Sequence, residues 1–169
     1  MKALIISGDK FEDSELLVPL YRLLEENIEV TIASIKAGSI TGIHGYTVIA
    51  EYSLEEIDPS SYGLLILPGG RAPAKLRKSA EALGITRHFF DENKAVAAIC
   101  HGPQILVSAK VLSGKKATCY QNIAAELIDA GADYQDKEVV VDNNLITSRI
   151  PSDLPAFCRE IMKKYRETI

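Results

Sequence analysis

The sequence contains few cysteines and no long apolar run. Its three cysteines, Cys100, Cys119 and Cys158, are odd in number, widely spaced and without a C-x-x-C pair, which argues against a disulfide framework and a zinc knuckle. No apolar stretch approaches the ~20 residues that are needed to cross a bilayer. The apolar stretch at 3–6 is too short for the core of a signal peptide. We therefore expect a cytoplasmic protein without a membrane partner.

Positive charge is scarce and is not clustered along the chain. The formal net charge is −4 and the isoelectric point is about 5.4, and the sequence has no basic run. Phosphate backbones and acidic membrane surfaces are bound by clustered Lys and Arg side chains. We therefore do not expect an acidic membrane surface as a partner, and we do not expect nucleic acid as the primary partner.

The sequence also lacks the usual motifs for cofactors. No G-x-G-x-x-G follows the first predicted strand, and there is no G-x-x-x-x-G-K-[ST], so a nucleotide cofactor is unsupported. The histidines, His44, His88 and His101, are scattered and do not make a metal site. We expect no cofactor and no metal, and we assign no role to His44 or His88.

What the sequence does contain is an alternation of strand and helix patterns. Its 169 residues, 47% of them hydrophobic and 25% charged, suffice for one core, so we expect a single domain over 1–169. The alternation predicts an α/β fold of the flavodoxin-like sandwich type, a mostly parallel sheet with helices on both faces. The predicted strands are 2–7, 29–33, 64–67, 95–99, 139–141 and 145–147, with a hairpin-like segment within 37–52 and a short strand at 118–120. The predicted helices are 13–27, one pattern from 71 to 93, 103–112, 123–130 and one beginning at 154.

The loop after the strand at 95–99 carries the most informative residues. The segment A-I-C-H-G at 98–102 has the small-x-nucleophile-x-small pattern of a nucleophile elbow between a strand and a helix. The helix that begins near Pro103 is expected to direct its positive end at the sulfur of Cys100 and to favour the thiolate. Cys100 is therefore the candidate nucleophile, whereas Cys119 and Cys158 are interpreted as packing residues.

Other candidates follow neighbouring strands and should meet Cys100 at the same edge of the sheet. Gly69 and Gly70 are either a simple turn or backbone that approaches a substrate and stabilises an oxyanion. Glu12 is either a helix-end carboxylate or an acid–base group with a raised pKa. His101 acts as a base only if the turn brings it back to the sulfur.

Four motifs in this order resemble the PfpI family of intracellular cysteine proteins, within the class I glutamine amidotransferase-like superfamily. They are F-E-D at 11–13, L-P-G-G-R-A-P at 67–73, A-I-C-H-G-P-Q at 98–104 and T-S-R at 147–149. The resemblance covers nearly the whole chain. It implies a flavodoxin-like fold and assembly into dimers or hexamers.

The resemblance also implies roles for individual residues. The family's nucleophile corresponds to Cys100, its neighbouring histidine to His101, and the acid that hydrogen-bonds the thiolate to Glu12. The oxyanion-binding backbone corresponds to Gly70, together with the amide that follows the nucleophile. Tyr120 corresponds to an aromatic hydroxyl near the thiol.

Two positions depart from the family pattern. In peptidase members an acid follows the P-G-G-R-A-P stretch and completes a Cys-His-acid triad in the neighbouring subunit, but this chain has Ala74 there. A methyl group cannot orient an imidazole, so Glu12, Glu15 and Asp153 are the remaining candidates for that role. The second departure is Ile150, where several relatives have histidine.

Three functions follow from these residues. The first is a deglycase or glyoxalase, in which the Cys100 thiolate attacks a small aldehyde or its adduct on an amine or thiol. The second is an intracellular peptidase acting on peptides, which Ala74 disfavours because a leaving amine must be protonated by a well-oriented base. The third is a redox sensor or chaperone that uses an oxidisable Cys100.

Overall fold

The computed structural model describes residues 2–167. The strands are β1 (Lys2–Ile6), β2 (Glu29–Ser34), β3 (Gly38–Thr41), β4 (Thr47–Ala50), β5 (Tyr52–Ser53), β6 (Leu64–Leu67), β7 (Ala95–Ile99), β8 (Lys116–Ala117), β9 (Asp133–Tyr134), β10 (Val140–Asp142) and β11 (Leu145–Ser148). The α-helices are α1 (Asp13–Glu25), α2 (Pro73–Leu76), α3 (Ala80–Asp91), α4 (Pro103–Ala109), α5 (Ala124–Asp129) and α6 (Leu154–Glu167).

A seven-stranded sheet organises the fold, in the order β10-β11-β7-β6-β1-β2-β5. All of its neighbouring pairs are parallel except β10 with β11 at one edge. Helices α1 and α6 pack against each other, and α4 packs between α3 and α5 as a second group. This arrangement confirms the predicted flavodoxin-like α/β fold with a mostly parallel sheet.

The central strands are buried on both faces, as expected when helices cover a parallel sheet. Every residue of β6 and β7 is buried, and so are four of the five residues of β1. The carboxyl ends of these three strands therefore form a rigid edge, and the loops that leave this edge contain the candidate residues.

Several boundaries differ from the prediction by one to three residues, strand β9 was not predicted, and two further differences have a local cause. The helical pattern before residue 93 is split into α2 and α3, because Ser79 has an extended backbone and caps α3 by accepting a hydrogen bond from Ala82 N at 3.1 Å. The predicted strand at 118–120 is wrong: strand β8 ends at Ala117, and the next three residues are irregular. Thr118 N instead donates to the hydroxyl of Thr147 at 2.9 Å, so a side chain replaces a ladder partner.

None of the helices formed by residues 2–167 is both long enough and apolar enough to cross a membrane.

Candidate active site

Cys100 lies at a sharp turn between β7 and α4. Its φ of 61° is in the left-handed region that residues with a side chain rarely adopt, so the turn is strained and must be held by its surroundings. Gly102 makes the turn possible, since a Cβ at this position would lie 2.1 Å from the carbonyl oxygen of Leu67. The nucleophile elbow predicted from the small residues around Cys100 is therefore confirmed.

Two backbone amides point at the sulfur of Cys100, those of Gly70 and His101. Gly70 has a φ of 80°, and a Cβ on it would lie 2.3 Å from Glu12 N, so only glycine fits there. Gly69 is equally confined, because its Cβ would lie 2.8 Å from the Cβ of Cys100. Gly69 and Gly70, both predicted to lie near the nucleophile, thus lie against the thiol.

Glu15 is the carboxyl that contacts this site. Its Oε2 atom accepts a hydrogen bond from Gly69 N at 2.8 Å. Its Oε1 atom is buried and has no hydrogen-bond partner in the part of the chain that the structure describes, and the carboxyl group as a whole interacts with the Cys100 thiol. The thiol and the carboxyl therefore form a buried pair.

The protonation states of this pair are set by burial and by mutual repulsion. Burial raises the pKa of Glu15 from 4.5 to about 7, against the hydrogen bond from Gly69, which lowers it. Burial and, after it, the negative charge of Glu15 together raise the pKa of the Cys100 thiol to about 12, although the amides of Gly70 and His101 act to lower it. The expected net preference for the thiolate is therefore not found in the resting site, because burial and the charge of Glu15 outweigh the amides that favour the thiolate.

Glu12, which was expected to hydrogen-bond the thiolate, makes other contacts. It is the N-cap of α1, where Oε1 accepts from Ser14 Oγ at 3.0 Å and from Ser14 N at 3.4 Å. Its Oε2 atom lies 3.3 Å from Nε2 of His44. The structure thus places Glu15, one helical turn further on, where Glu12 was expected, and it gives the unassigned His44 a partner.

The sequence did contain a signal for Glu15. Glu15 is in the first turn of the helix that leaves β1, and it shares a helix face with the buried Pro19, four residues further on. An acidic side chain on the inward face of such a helix, next to the end of a central strand, points towards the edge of the sheet where ligands bind.

His101 bends back to the nucleophile. Its Nδ1 atom lies 3.3 Å from Sγ of Cys100, which is the geometry that a base at this position requires. Its ring stacks on Tyr120, with the centroids 4.9 Å apart and the planes tilted by 33°. Tyr120 N in turn donates to the carbonyl of Cys100 at 2.9 Å, so the predicted Tyr120 supports both residues of the elbow.

The carboxylate that acts on His101 is one that the sequence reasoning missed. Half-burial lowers the pKa of His101, and the charge of Glu126 opposes this effect. Glu126 is held in place by Arg77 at 2.7 Å and by Gln104 at 2.9 Å. Glu126 is on α5 and Gln104 is on α4, so the charge that acts on His101 is fixed by a contact between these two helices.

The three carboxylates considered as substitutes for an acid at position 74 have other partners. Asp153 accepts three hydrogen bonds from Arg149, at 2.9 and 3.1 Å, so it stabilises the loop after β11. Glu12 and Glu15 have the contacts given above, and none of the three hydrogen-bonds His101 within residues 2–167. Ala74 itself is exposed on α2, and Ile150 precedes the turn that leads into α6.

No metal centre is formed by the described residues. Among residues 2–167 there is no group of three or more His, Cys, Asp or Glu side chains that could hold an ion. The groups that surround the sulfur at this edge of the sheet are a carboxyl, an imidazole and two backbone amides.

Comparison with known proteins identifies the family of the chain. The DJ-1/PfpI family model matches residues 1–164. A protein of Pyrococcus abyssi named deglycase PYRAB04690 is 52% identical over 163 residues, which are 96% of this chain and 98% of the relative. Deglycase PfpI of Pyrococcus furiosus is 50% identical, with the same coverage of both chains.

A solved structure shows the same fold. It is a two-domain protein of Anabaena variabilis with DJ-1/ThiJ/PfpI-like and ferritin-like domains, 34% identical, with a TM-score of 0.95. The match covers 97% of this chain and 48% of that one, so this chain corresponds in extent to about half of the two-domain protein.

Proposed function

The chain belongs to the DJ-1/PfpI family, and we propose that it is a deglycase and glyoxalase whose nucleophile is the thiolate of Cys100. The observation that supports this most directly is the buried pair of Cys100 and Glu15, with the amides of Gly70 and His101 directed at the sulfur. The relatives that are named deglycases support the same activity.

The first step joins the sulfur to the aldehyde carbon. Because the pKa of Glu15 is about 7, a substantial fraction of its carboxyl is ionised at neutral pH and can take the proton of the thiol as the sulfur attacks. The carbonyl oxygen gains negative charge next to the sulfur, within reach of the amides of Gly70 and His101. The pair of Cys100 and Glu15 thus forms the thiolate during the attack on the aldehyde, although burial disfavours the thiolate before the substrate binds.

The next steps move protons and then release the product. In the hemithioacetal of methylglyoxal, a base removes the proton from the former aldehyde carbon, and the neighbouring carbon is protonated, which yields a thioester of lactate. Water then cleaves the thioester into lactate and the free thiol. Glu15 and His101 both contact the sulfur, so they are the groups in place for these transfers.

Deglycation uses the same first intermediate. When the aldehyde carbon is carried by an amine, attack by the thiolate breaks the carbon–nitrogen bond, and the amine leaves with a proton. His101, with Nδ1 at 3.3 Å from Sγ, is placed to supply this proton. The substrates that we propose are therefore small aldehydes and early glycation adducts of amines or thiols.

A peptidase is the second candidate, and the contact between Cys100 and His101 favours it. Amide cleavage, however, needs an imidazole held by a third group, and no carboxylate hydrogen-bonds His101 within the described part of the chain. The third function, a redox sensor, would need an exposed thiol with a low pKa. Cys100 is only 8% exposed, and its pKa is raised, so this alternative has less support.

Assembly into a homo-oligomer is also a proposal, and the exposed apolar side chains support it. Val18 and Tyr21 on α1 are 42% and 54% exposed, and Tyr46 and Ile49 of the β3–β4 hairpin are 47% and 57% exposed. The hydroxyls of Tyr21 and Tyr46 lie 3.3 Å apart, so the helix and the hairpin present one continuous surface. Sedimentation equilibrium would measure the oligomeric state.

Lactate formation from methylglyoxal by wild type, Cys100→Ser and Cys158→Ser tests the proposed activity. We expect wild type and Cys158→Ser to form lactate and Cys100→Ser to form none, with unchanged circular dichroism in all three. Cleavage of a labelled unfolded protein by the same proteins tests the peptidase alternative. Cys100-dependent cleavage without lactate formation would replace the deglycase proposal by the peptidase.

A further inference from the structure

A second cavity lies at the topological switch point of the sheet. From β1 the chain proceeds to β2 on one side, whereas β6 pairs with β1 on the other side. In open α/β sheets such a reversal opens a crevice between the loops at the carboxyl ends, and ligands bind there. The crevice adjoins the thiol site through the loop after β6, but Cys100, Glu15 and His101 do not line it.

The cavity in this crevice has a volume of about 560 Å³ and is lined by three cations. Lys10 comes from the loop after β1, and Arg71 and Lys75 come from the loop and short helix after β6. Lys10 is far from Arg71 and Lys75 in the sequence, so the three residues do not form a basic run. The volume is in the range of small-molecule sites.

The charges of these three cations are not neutralised by ion pairs within the described residues. Arg22, Arg77 and Arg149 all form ion pairs with carboxylates in the structure. Lys10, Arg71 and Lys75, in contrast, have no ion-pair partner within residues 2–167, although the chain as a whole carries a net charge of −4. Their positive charge is therefore available to an anionic ligand.

One carboxylate lines the cavity, and one of its two oxygens already accepts a hydrogen bond within the protein. Asp9 Oδ1 accepts a hydrogen bond from Thr41 N at 3.0 Å, so Asp9 fixes the hairpin to the loop after β1. Three cations against one carboxylate leave a positive excess, which suits a doubly charged anion better than a single carboxylate.

The backbone around the cavity is held firmly. Lys10 N donates to Thr41 O at 2.7 Å, and Arg71 N donates to Lys10 O at 2.8 Å, while Phe11 and Gly70 form an isolated bridge. These amides are used within the protein, so a ligand must be recognised by the cationic side chains. Their α-carbons are fixed, which reduces the entropy lost when a ligand orders the side chains.

We propose that this cavity is a binding site for a phosphomonoester, with Lys10, Arg71 and Lys75 contacting the phosphate oxygens. The guanidinium of Arg71 can bind two oxygens at once, and the two ammonium groups supply further charge. This proposal goes beyond the proposed function and does not depend on it. The phosphate is either a free small molecule or the far end of a phosphorylated carbonyl substrate.

Isothermal titration calorimetry with glycerol 3-phosphate tests the site, with glycerol as the neutral control. We expect saturable binding to wild type, no binding of glycerol, and about tenfold or greater weakening in Arg71→Gln/Lys75→Gln. The matched control is Lys116→Gln/Lys137→Gln, which loses the same charge at exposed positions outside the cavity and should bind like wild type. Absence of saturable binding to wild type, or equal weakening in both double variants, would overturn the proposal.

Inhibition kinetics distinguish the two sources of the phosphate. If glycerol 3-phosphate competes with methylglyoxal, the cavity binds the phosphate end of a substrate. If it binds without inhibition, the cavity is an independent site for a free phosphomonoester. Both results support the site, and the calorimetric test stands even if methylglyoxal is not turned over.

Discussion

Gly69 N donates a hydrogen bond of 2.8 Å to Oε2 of Glu15, and this bond joins the helix after β1 to the loop after β6. It fixes one oxygen of a buried carboxyl that interacts with the thiol of Cys100. Because Gly69 and Gly70 are adjacent, the same loop places the carboxyl and one amide donor around the sulfur. The proposed chemistry rests on this arrangement.

The first prediction concerns the dependence of stability on pH. The folded-state pKa of Glu15 is about 7, above its ordinary value of 4.5, so the folded protein retains a proton that the unfolded chain has lost. Its contribution to stability is fully present below pH 4.5 and is lost as the pH rises through about 7. The free energy of unfolding should therefore fall by up to roughly 3 kcal/mol across this window because of Glu15.

Urea unfolding of wild type and Glu15→Gln across this window measures the effect. The variant cannot ionise at position 15, so its stability relative to wild type should increase from acidic to alkaline pH. Parallel curves for the two proteins would show that Glu15 ionises normally in the folded state.

The second prediction concerns the turn at Gly102. In Gly102→Ala the new methyl would lie 2.1 Å from a backbone oxygen of Leu67, which cannot move without distorting β6. We expect destabilisation by about 3 kcal/mol or more. Gly84→Ala is the matched control, because nothing lies within 4 Å of its Cβ inside α3, and it should be stabilised by up to roughly 1 kcal/mol. Thermal unfolding compares the two, and equal effects would refute the steric account.

The third prediction concerns Tyr120. Its ring supports His101 through a contact of 4.9 Å between centroids, and its hydroxyl has no protein partner in the region that the structure describes. Tyr120→Phe should therefore keep kcat/KM for methylglyoxal within about threefold. Tyr120→Ala should lower it by about tenfold or more, because His101 loses the surface that orients it. A large loss in Tyr120→Phe would instead assign a role to the hydroxyl.

The sequence was sufficient to predict the fold and the elbow, because both depend on local patterns. The alternation of apolar runs with helical patterns predicts the parallel sheet, and the small residues around Cys100 predict the strained turn. Ser79 shows where such patterns fail, since a single cap divided one helical pattern into two helices. The strand expected at 118–120 failed because a side-chain hydroxyl, that of Thr147, took the place of a backbone partner.

The site was only partly predictable, because side-chain direction depends on packing. Glu12 and Glu15 are three residues apart on the same helix, and only the register of α1 against the sheet decides which one faces the thiol. Glu126 and the cations of the second cavity come from separate segments that meet only in the folded chain. The pKa of Cys100 depends on burial, which outweighs the helix end that the sequence suggested.

The measurement that tests the account most directly compares Glu15→Gln with Glu12→Gln in lactate formation from methylglyoxal. If Glu15 takes the proton of the Cys100 thiol, Glu15→Gln should lower kcat/KM by about 100-fold or more, as expected for loss of a general base. Glu12→Gln, which changes a helix cap, should retain kcat/KM within about threefold. Near-normal activity of Glu15→Gln together with a large loss in Glu12→Gln would contradict the assignment of Glu15.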